Sequence, residues 1–121
     1  MATHELFRST VRTEHTCRIA YGSLQSAVSL TADHLVIVVD SNTARFASRV
    51  SASLGNRARV DIVELPRAGE AVKSRWGYDY LVSQLARTSF ARRASCLVGV
   101  GGGTILDLAG FVAATYMRGV S

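Results

Sequence analysis

The stretch GVGGGTILDLAGFVAATYMRG, residues 99–119, combines three consecutive glycines, Gly101, Gly102 and Gly103, with a carboxylate four residues later at Asp107 and a guanidinium at Arg118. Two smaller groups of the same chemical character precede it: Asp40 with Asn42 in VVDSN, and Gly69, Glu70 and Lys73 in GEAVKS. Glycines between a buried strand and a helix let another backbone or a ligand come close. The free N–H groups at a helix start favour a negative ligand. A guanidinium fork suits an oxyanion such as a phosphate. Lys73 is the only lysine in a chain whose other basic residues are all arginine or histidine.

Each group also has a plain structural reading. Asp40 and Asn42 are the residue types that cap helices. Glu70 and Lys73 stand at the i,i+3 spacing of an ordinary pair on a helix surface. The glycines serve equally to let a helix pack tightly on a strand. What favours ligand chemistry is their joint placement at the ends of successive strands, the edge where open α/β sheets bind ligands.

The elements that must position these groups follow from hydrophobic pattern. HLVIVVD is a continuous β-branched run, the mark of a strand buried on both faces. SNTARFASRVSASLG places Phe46, Val50 and Leu54 at helical spacing after the capping residues Ser41 and Asn42, and stops at Gly55. ARVDIVEL reads as a second strand, PRAGEA as a turn, and VKSRWGYDYLVSQLARTSF as a longer helix with Trp76, Tyr80 and Leu81 toward the core. SCLVGV is a third strand, and TILDLAGFVAATY puts Ile105, Leu108, Val112 and Tyr116 on one helical face. Before all of these, TVRTEHTCRIAYG suggests an extended segment or hairpin and SLQSAVSLT a short helix. The alternation predicts an α/β fold, a Rossmann-like parallel sheet with helices on both faces.

Composition removes several classes. The 121 residues suffice for one domain with a core, and 48% hydrophobic with 19% charged residues is the balance of a globular protein. No apolar run reaches the roughly 18 residues of a membrane span, and the N-terminal MATHELFRSTVRTEH lacks the apolar core of a secretory signal, so a cytoplasmic location is expected. The net charge of +5 comes from basic residues scattered singly, which points to a solvated surface or a small anionic ligand rather than nucleic acid. Cys17 and Cys96 have no metal-ligand spacing, and neither do His4, His15 and His34, so no metal site is expected in this chain.

The glycine run is not the usual dinucleotide fingerprint. Gly99 and Gly101 match its first two positions, but Thr104 stands at the last, and the loop follows a third strand. The segment GGGTILDLAGFVAATYMRGV instead resembles the signature of 3-dehydroquinate synthase, within the sugar phosphate cyclases: a triple glycine, an acid four residues on, and an aromatic-rich helix ending in arginine-glycine. GEAVKS and VVDSN resemble two further elements of that family. Thr104 and Leu106 depart from it, standing where the family often has valine or alanine and glycine. Alcohol and glycerol dehydrogenases that depend on a metal share the triple glycine and acid, but place a small residue and a lysine soon after, which this chain does not.

The resemblance implies residues 1–121 to be the NAD-binding N-terminal domain of an enzyme that oxidises, eliminates phosphate from, re-reduces and cyclises a heptulosonate phosphate, 3-deoxy-arabino-heptulosonate 7-phosphate, in the shikimate route to aromatic amino acids. It places Asp40 and Asn42 on the adenosine side and Glu70 and Lys73, with Gly69, by the ribose and phosphates. Gly101, Gly102, Gly103, Thr104 and Asp107 then line the pyrophosphate and nicotinamide region, and Arg118 reaches the substrate phosphate. It also implies a divalent metal, zinc or cobalt, held in a C-terminal helical domain that this chain does not include, and a homodimer at full length. On that reading the chain alone carries no catalytic residue. The alternatives are a related cyclase making 2-deoxy-scyllo-inosose, 2-epi-5-epi-valiolone or aminodehydroquinate, or a non-catalytic nucleotide-binding or partner module.

Overall fold

The computed structural model describes residues 10–14, 32–54, 59–91 and 93–119. The expected short helix over 23–31 and most of the extended segment over 10–22 lie outside the described residues, and residues 10–14 form no regular element.

Three strands, β1 (His34–Val39), β2 (Arg59–Glu64) and β3 (Ser95–Gly99), make a parallel sheet in the order β2-β1-β3. β1 takes the middle because all six of its residues are buried, as a strand covered on both faces requires. Its alternating side chains seed two cores. Val36 and Val38 join Val63, Leu65, Val72, Leu81, Leu85, Phe90, Ile105, Leu108 and Val112 on one face. Ile37 and Val39 join Ala47 and Val50 on the other. Helices α2 (Arg75–Arg87) and α3 (Gly103–Thr115) therefore cover the first face, and α1 (Ala47–Leu54) the second.

This arrangement creates the site's setting. Neighbouring strands β1 and β3 send the chain to opposite faces, so a crevice opens between their carboxyl ends, the switch point at which open α/β sheets receive ligands. One wall is the turn after Asp40 and the other is the 100–103 loop, which stays in the sheet through the Val100 amide bonded to the Val38 carbonyl at 2.9 Å.

Two of the expected helices differ from their sequence reading. The first begins as a 3-10 turn, Ala44–Phe46, before α1, and its entry is organised by Asp40 rather than by Ser41 or Asn42. Ala47 and Val50 face the core, while Phe46 is half-buried under the Arg45 guanidinium, 4.8 Å from its ring. The second expected helix is split. A 3-10 turn, Gly69–Val72, is followed by Lys73 at φ −80°, ψ 64° and by an extended Ser74, which accepts a hydrogen bond from the Gly77 amide and starts α2 afresh. The buried face of α2 is Gly77, Leu81 and Leu85. Of the residues expected toward the core, Leu81 is fully buried and Tyr80, partly buried, packs against that core, while Trp76 is exposed on the flank, stacked on Tyr80 with ring centroids 5.8 Å apart.

Helix α2 ends in a Schellman motif: the Phe90 amide reaches the Leu85 carbonyl at 3.1 Å and the Ser89 amide the Ala86 carbonyl at 3.3 Å. Ser89 holds the left-handed position at φ 55°, where a Cβ is strained. Ser89→Gly is expected to stabilise the fold by roughly 0.5–1 kcal/mol, seen as a higher denaturant midpoint at unchanged slope.

Candidate functional site

The Glu70/Lys73 group and the Gly101–Asp107 group are brought together. The Gly69–Val72 turn packs beside the start of α3, entered through Gly69 at φ +75° and anchored by the fully buried Val72. The Lys73 ammonium lies 2.8 Å from Asp107 Oδ2, and the Thr104 hydroxyl donates to Glu70 Oε1 at 3.1 Å. The i,i+3 spacing in each segment is thus used between elements. Glu70 and Lys73 do not pair on one helix; they form two rungs with residues 104 and 107 of another.

Charge follows the same geometry. The Asp107 hydrogen bond, then its charge, then that of Glu70 hold the Lys73 pKa above its ordinary value. Both partners are about half exposed, so salt weakens the pair. Asp107→Asn should bring the Lys73 pKa back down toward 10.5, read by NMR titration of its side-chain Cε. Because the folded value is the higher one, the lysine's share of the stabilisation is present below about pH 10.5 and is lost as the pH rises through the folded value.

The glycines divide into two kinds. A Cβ on Gly99 would meet the Ala109 Cβ at 3.2 Å, and one on Gly101 would stand 2.7 Å from the Ile105 Cβ, so these two let α3 lie close on β3. A Cβ on Gly102 or Gly103 would meet nothing within 4 Å. Gly102 has φ −78° and ψ −171°, a conformation open to any residue, and Gly103 begins the helix. Among the described residues, neither packing nor backbone geometry requires glycine at these two positions. Gly102 supplies no side-chain cap to α3, and its carbonyl receives the Leu106 amide, so the amides of Gly103, Thr104 and Ile105 precede the first helical bond. They lie at the carboxyl end of β3, free of a helical acceptor, the kind of position that can receive an anion.

Asp40 does what its structural reading expects. It is buried, and its Oδ1 accepts from the amides of Asn42 at 2.8 Å and Thr43 at 3.0 Å and from the Thr43 hydroxyl at 3.2 Å. None of these bonds uses Oδ2. Asn42 is exposed at the crevice. Among the described residues no hydrogen bond or ion pair ties Asp40 or Asn42 to the other groups. Arg118 ends a 3-10 turn, Tyr116–Arg118, reached through the left-handed Met117 at φ 46°; its side chain lies outside the described atoms.

Beside the two rungs, a cavity of about 490 Å³ opens between α2 and α3, lined by Lys73, Ser74, Arg75, Tyr78, Asp107, Leu108 and Phe111. Its size is that of a small-molecule site. His34 is remote from it: at the amino end of β1, its Nε2 pairs with Asp61 Oδ2 at 2.7 Å. Cys96 is half-buried in β3, and burial pushes its thiol pKa up. No three His, Cys, Asp or Glu side chains gather into a metal centre among the described residues, so no chemistry is assigned to a metal here.

Sequence reasoning missed two contributors. Gly77 is buried against the Val72 carbonyl and so seats the turn that carries Glu70 and Lys73; its signal was a glycine inside a helical pattern. Ser74, as the cap of α2, separates that turn from the helix.

Comparison with known proteins finds relatives in one family. Residues 62–121 match the family described as 3-dehydroquinate synthase N-terminal. The chain is 40% identical over 107 residues to 3-dehydroquinate synthase of Xylella fastidiosa, covering 84% of this chain and 26% of that protein. It is 43% identical over 88 residues to the enzyme of the same name from Halalkalibacterium halodurans, covering 72% and 24%. It thus spans about a quarter of the length of these relatives. Among solved structures, 2-deoxy-scyllo-inosose synthase complexed with carbaglucose-6-phosphate, NAD+ and Co2+ shares the fold with a TM-score of 0.68 at 24% identity, over 75% of this chain and 25% of that one. A 2-epi-5-epi-valiolone synthase from Streptomyces hygroscopicus with NAD+ and Zn2+ bound does so with a TM-score of 0.66 at 19% identity, over 90% and 33%.

Proposed function

Because the chain belongs to the 3-dehydroquinate synthase family, in its N-terminal portion, we propose that it is the nucleotide-binding part of a sugar phosphate cyclase and that it holds NAD across the β1/β3 crevice. The observation that carries this reading is the open space at Gly102 and Gly103, two glycines that nothing among the described residues requires, set at amides with no helical acceptor. A dinucleotide pyrophosphate laid there accepts from the amides of residues 103–105 and replaces the space a Cβ would fill. Asp40 and Asn42 flank the adenosine end, with Asp40 Oδ2 outside the turn's own bonds. Glu70 and Asp107 accept from ribose hydroxyls, and Lys73, held cationic by Asp107, neutralises phosphate.

NAD, when bound, supplies a hydride acceptor that is restored within the same turnover. The reaction we assign to the whole protein is that of 3-dehydroquinate synthase: cyclisation of 3-deoxy-arabino-heptulosonate 7-phosphate with loss of phosphate, in aromatic amino acid biosynthesis. Arg118 is the residue we assign to the substrate phosphate. A divalent metal and a homodimeric assembly belong to the same proposal, with the metal ligands outside this chain. The reading also implies a cytoplasmic enzyme; no helix among the described residues is long and apolar enough to cross a membrane.

Saturation-transfer NMR or calorimetry on the 121-residue chain tests the cofactor. Binding should be weak, because the described residues bury only part of such a ligand. The absence of any NAD signal from folded protein at millimolar ligand overturns the proposal for this chain.

A further inference from the structure

A four-residue 3-10 turn has little stability of its own. The Gly69–Val72 turn has no side-chain cap at Ala68 and ends at Lys73, so the direction of its one carboxylate depends on what it touches. Among the described residues, the Glu70 carboxylate has a single hydrogen-bond partner, the Thr104 hydroxyl at 3.1 Å. Thr104 is also the only residue of the first turn of α3, GGTIL over 102–106, whose side chain has a donor.

Helix α3 holds a second threonine for comparison. Thr115 makes the ordinary helical back-bond, donating to the Phe111 carbonyl at 2.8 Å, and lies 3.0 Å from the Tyr78 hydroxyl of α2. Thr104, in the first turn, has no helical carbonyl four residues back to take such a bond. Its hydroxyl points out of its own helix and across the seam to Glu70, while Lys73 and Asp107 close the second rung one turn along. The buried Val72 anchors the turn, and Lys73–Asp107 spans the two elements at 2.8 Å. The Thr104 bond then decides which way the carboxylate faces, engaging Oε1 and leaving Oε2 as an acceptor.

We propose that Thr104 is a positioning residue: its hydroxyl fixes the Glu70 carboxylate across the seam, so that Oε2 is presented to a hydroxyl-bearing ligand. The part concerning the ligand rests on the nucleotide reading above; the tether itself does not. Thr104→Val keeps the shape and removes the donor, and Thr104→Ser keeps the donor. NAD affinity of these variants, of Glu70→Ala and of the double variant Thr104→Val/Glu70→Ala is compared with that of the parent chain. In parallel, ligand-free hydrogen exchange is followed at the Lys73 amide, which donates to the Glu70 carbonyl at 3.0 Å.

Loss of one exposed hydrogen bond predicts NAD binding about three- to tenfold weaker in Thr104→Val. Thr104→Ser should return to within about twofold of the parent, since a serine hydroxyl donates equally well. Adding Thr104→Val to Glu70→Ala should cost nothing more, because the partner is already gone. Exchange at Lys73 should quicken in Thr104→Val and stay unchanged in Thr104→Ser. Equal affinity in Thr104→Val and parent, or equal weakening with and without Glu70, overturns the positioning role. If the parent chain takes up no NAD, the nucleotide reading fails, and exchange alone decides the tether: quickened exchange upholds it and unchanged exchange removes it.

Discussion

Gly77→Ala is expected to be among the most damaging single substitutions in the chain, although alanine is the better helix former. A Cβ at Gly77 would overlap the Val72 carbonyl oxygen and lie 2.8 Å from its carbon, both backbone atoms that no rotamer change can move aside. Helix propensity favours alanine by about 1 kcal/mol. Driving the Gly69–Val72 turn off α2 while Val72 is fully buried costs more, roughly 3 kcal/mol by analogy with overpacked cores. The net loss should therefore approach 2 kcal/mol in denaturant unfolding. The displaced turn carries Glu70 and Lys73, so both rungs to α3 break and nucleotide affinity falls with them. Gly110→Ala is the control: its Cβ would meet nothing within 4 Å, and the same propensity gain should appear there as added stability. Equal stability of the two variants would show that α2 and the turn are not in fact locked together.

The sheet was legible because its strands are short runs of β-branched residues with unambiguous ends. HLVIVVD, ARVDIVEL and SCLVGV became β1, β2 and β3 with boundaries shifted by a residue or two. Helix α3 was equally legible, since Ile105, Leu108 and Val112 all lie in the core at the spacing read from the sequence. What periodicity could not show was the break between Val72 and Arg75. It depends on a serine side chain capping a new helix and on a backbone contact at Gly77, both of which exist only after folding. Trp76 lies exposed on the flank of the restarted helix, while Tyr80 packs against the core and Leu81 and Leu85 enter it. The same limit applies to the candidate site. Residue types named Glu70, Lys73 and Asp107, but their partners depend on how the turn meets α3, which no local pattern encodes. Asp40 shows the opposite case: its local turn chemistry was readable, and the structure realises it.

Gly103→Ala and Gly102→Ser are expected to separate stability from ligand binding, in opposite directions. At Gly103, the first residue of α3, alanine removes backbone freedom from the unfolded chain without meeting any atom in the folded one, a gain of up to about 1 kcal/mol. At Gly102, the N-cap, serine ranks above glycine because its hydroxyl can accept a helix-start amide, which adds a few tenths of a kcal/mol. Both variants should melt at or above the temperature of the parent. Each also places a side chain in the space proposed for the pyrophosphate, and serine further competes for the amides that would hold it. NAD affinity should therefore drop about tenfold or more in either, equivalent to about 1.4 kcal/mol. A purely structural glycine behaves the other way, losing stability on substitution, as Gly101 should, because its Cβ would stand 2.7 Å from the Ile105 Cβ. If Gly103→Ala and Gly102→Ser bind NAD as tightly as the parent, the space at the start of α3 is not where the cofactor lies, and the proposed placement of the dinucleotide falls.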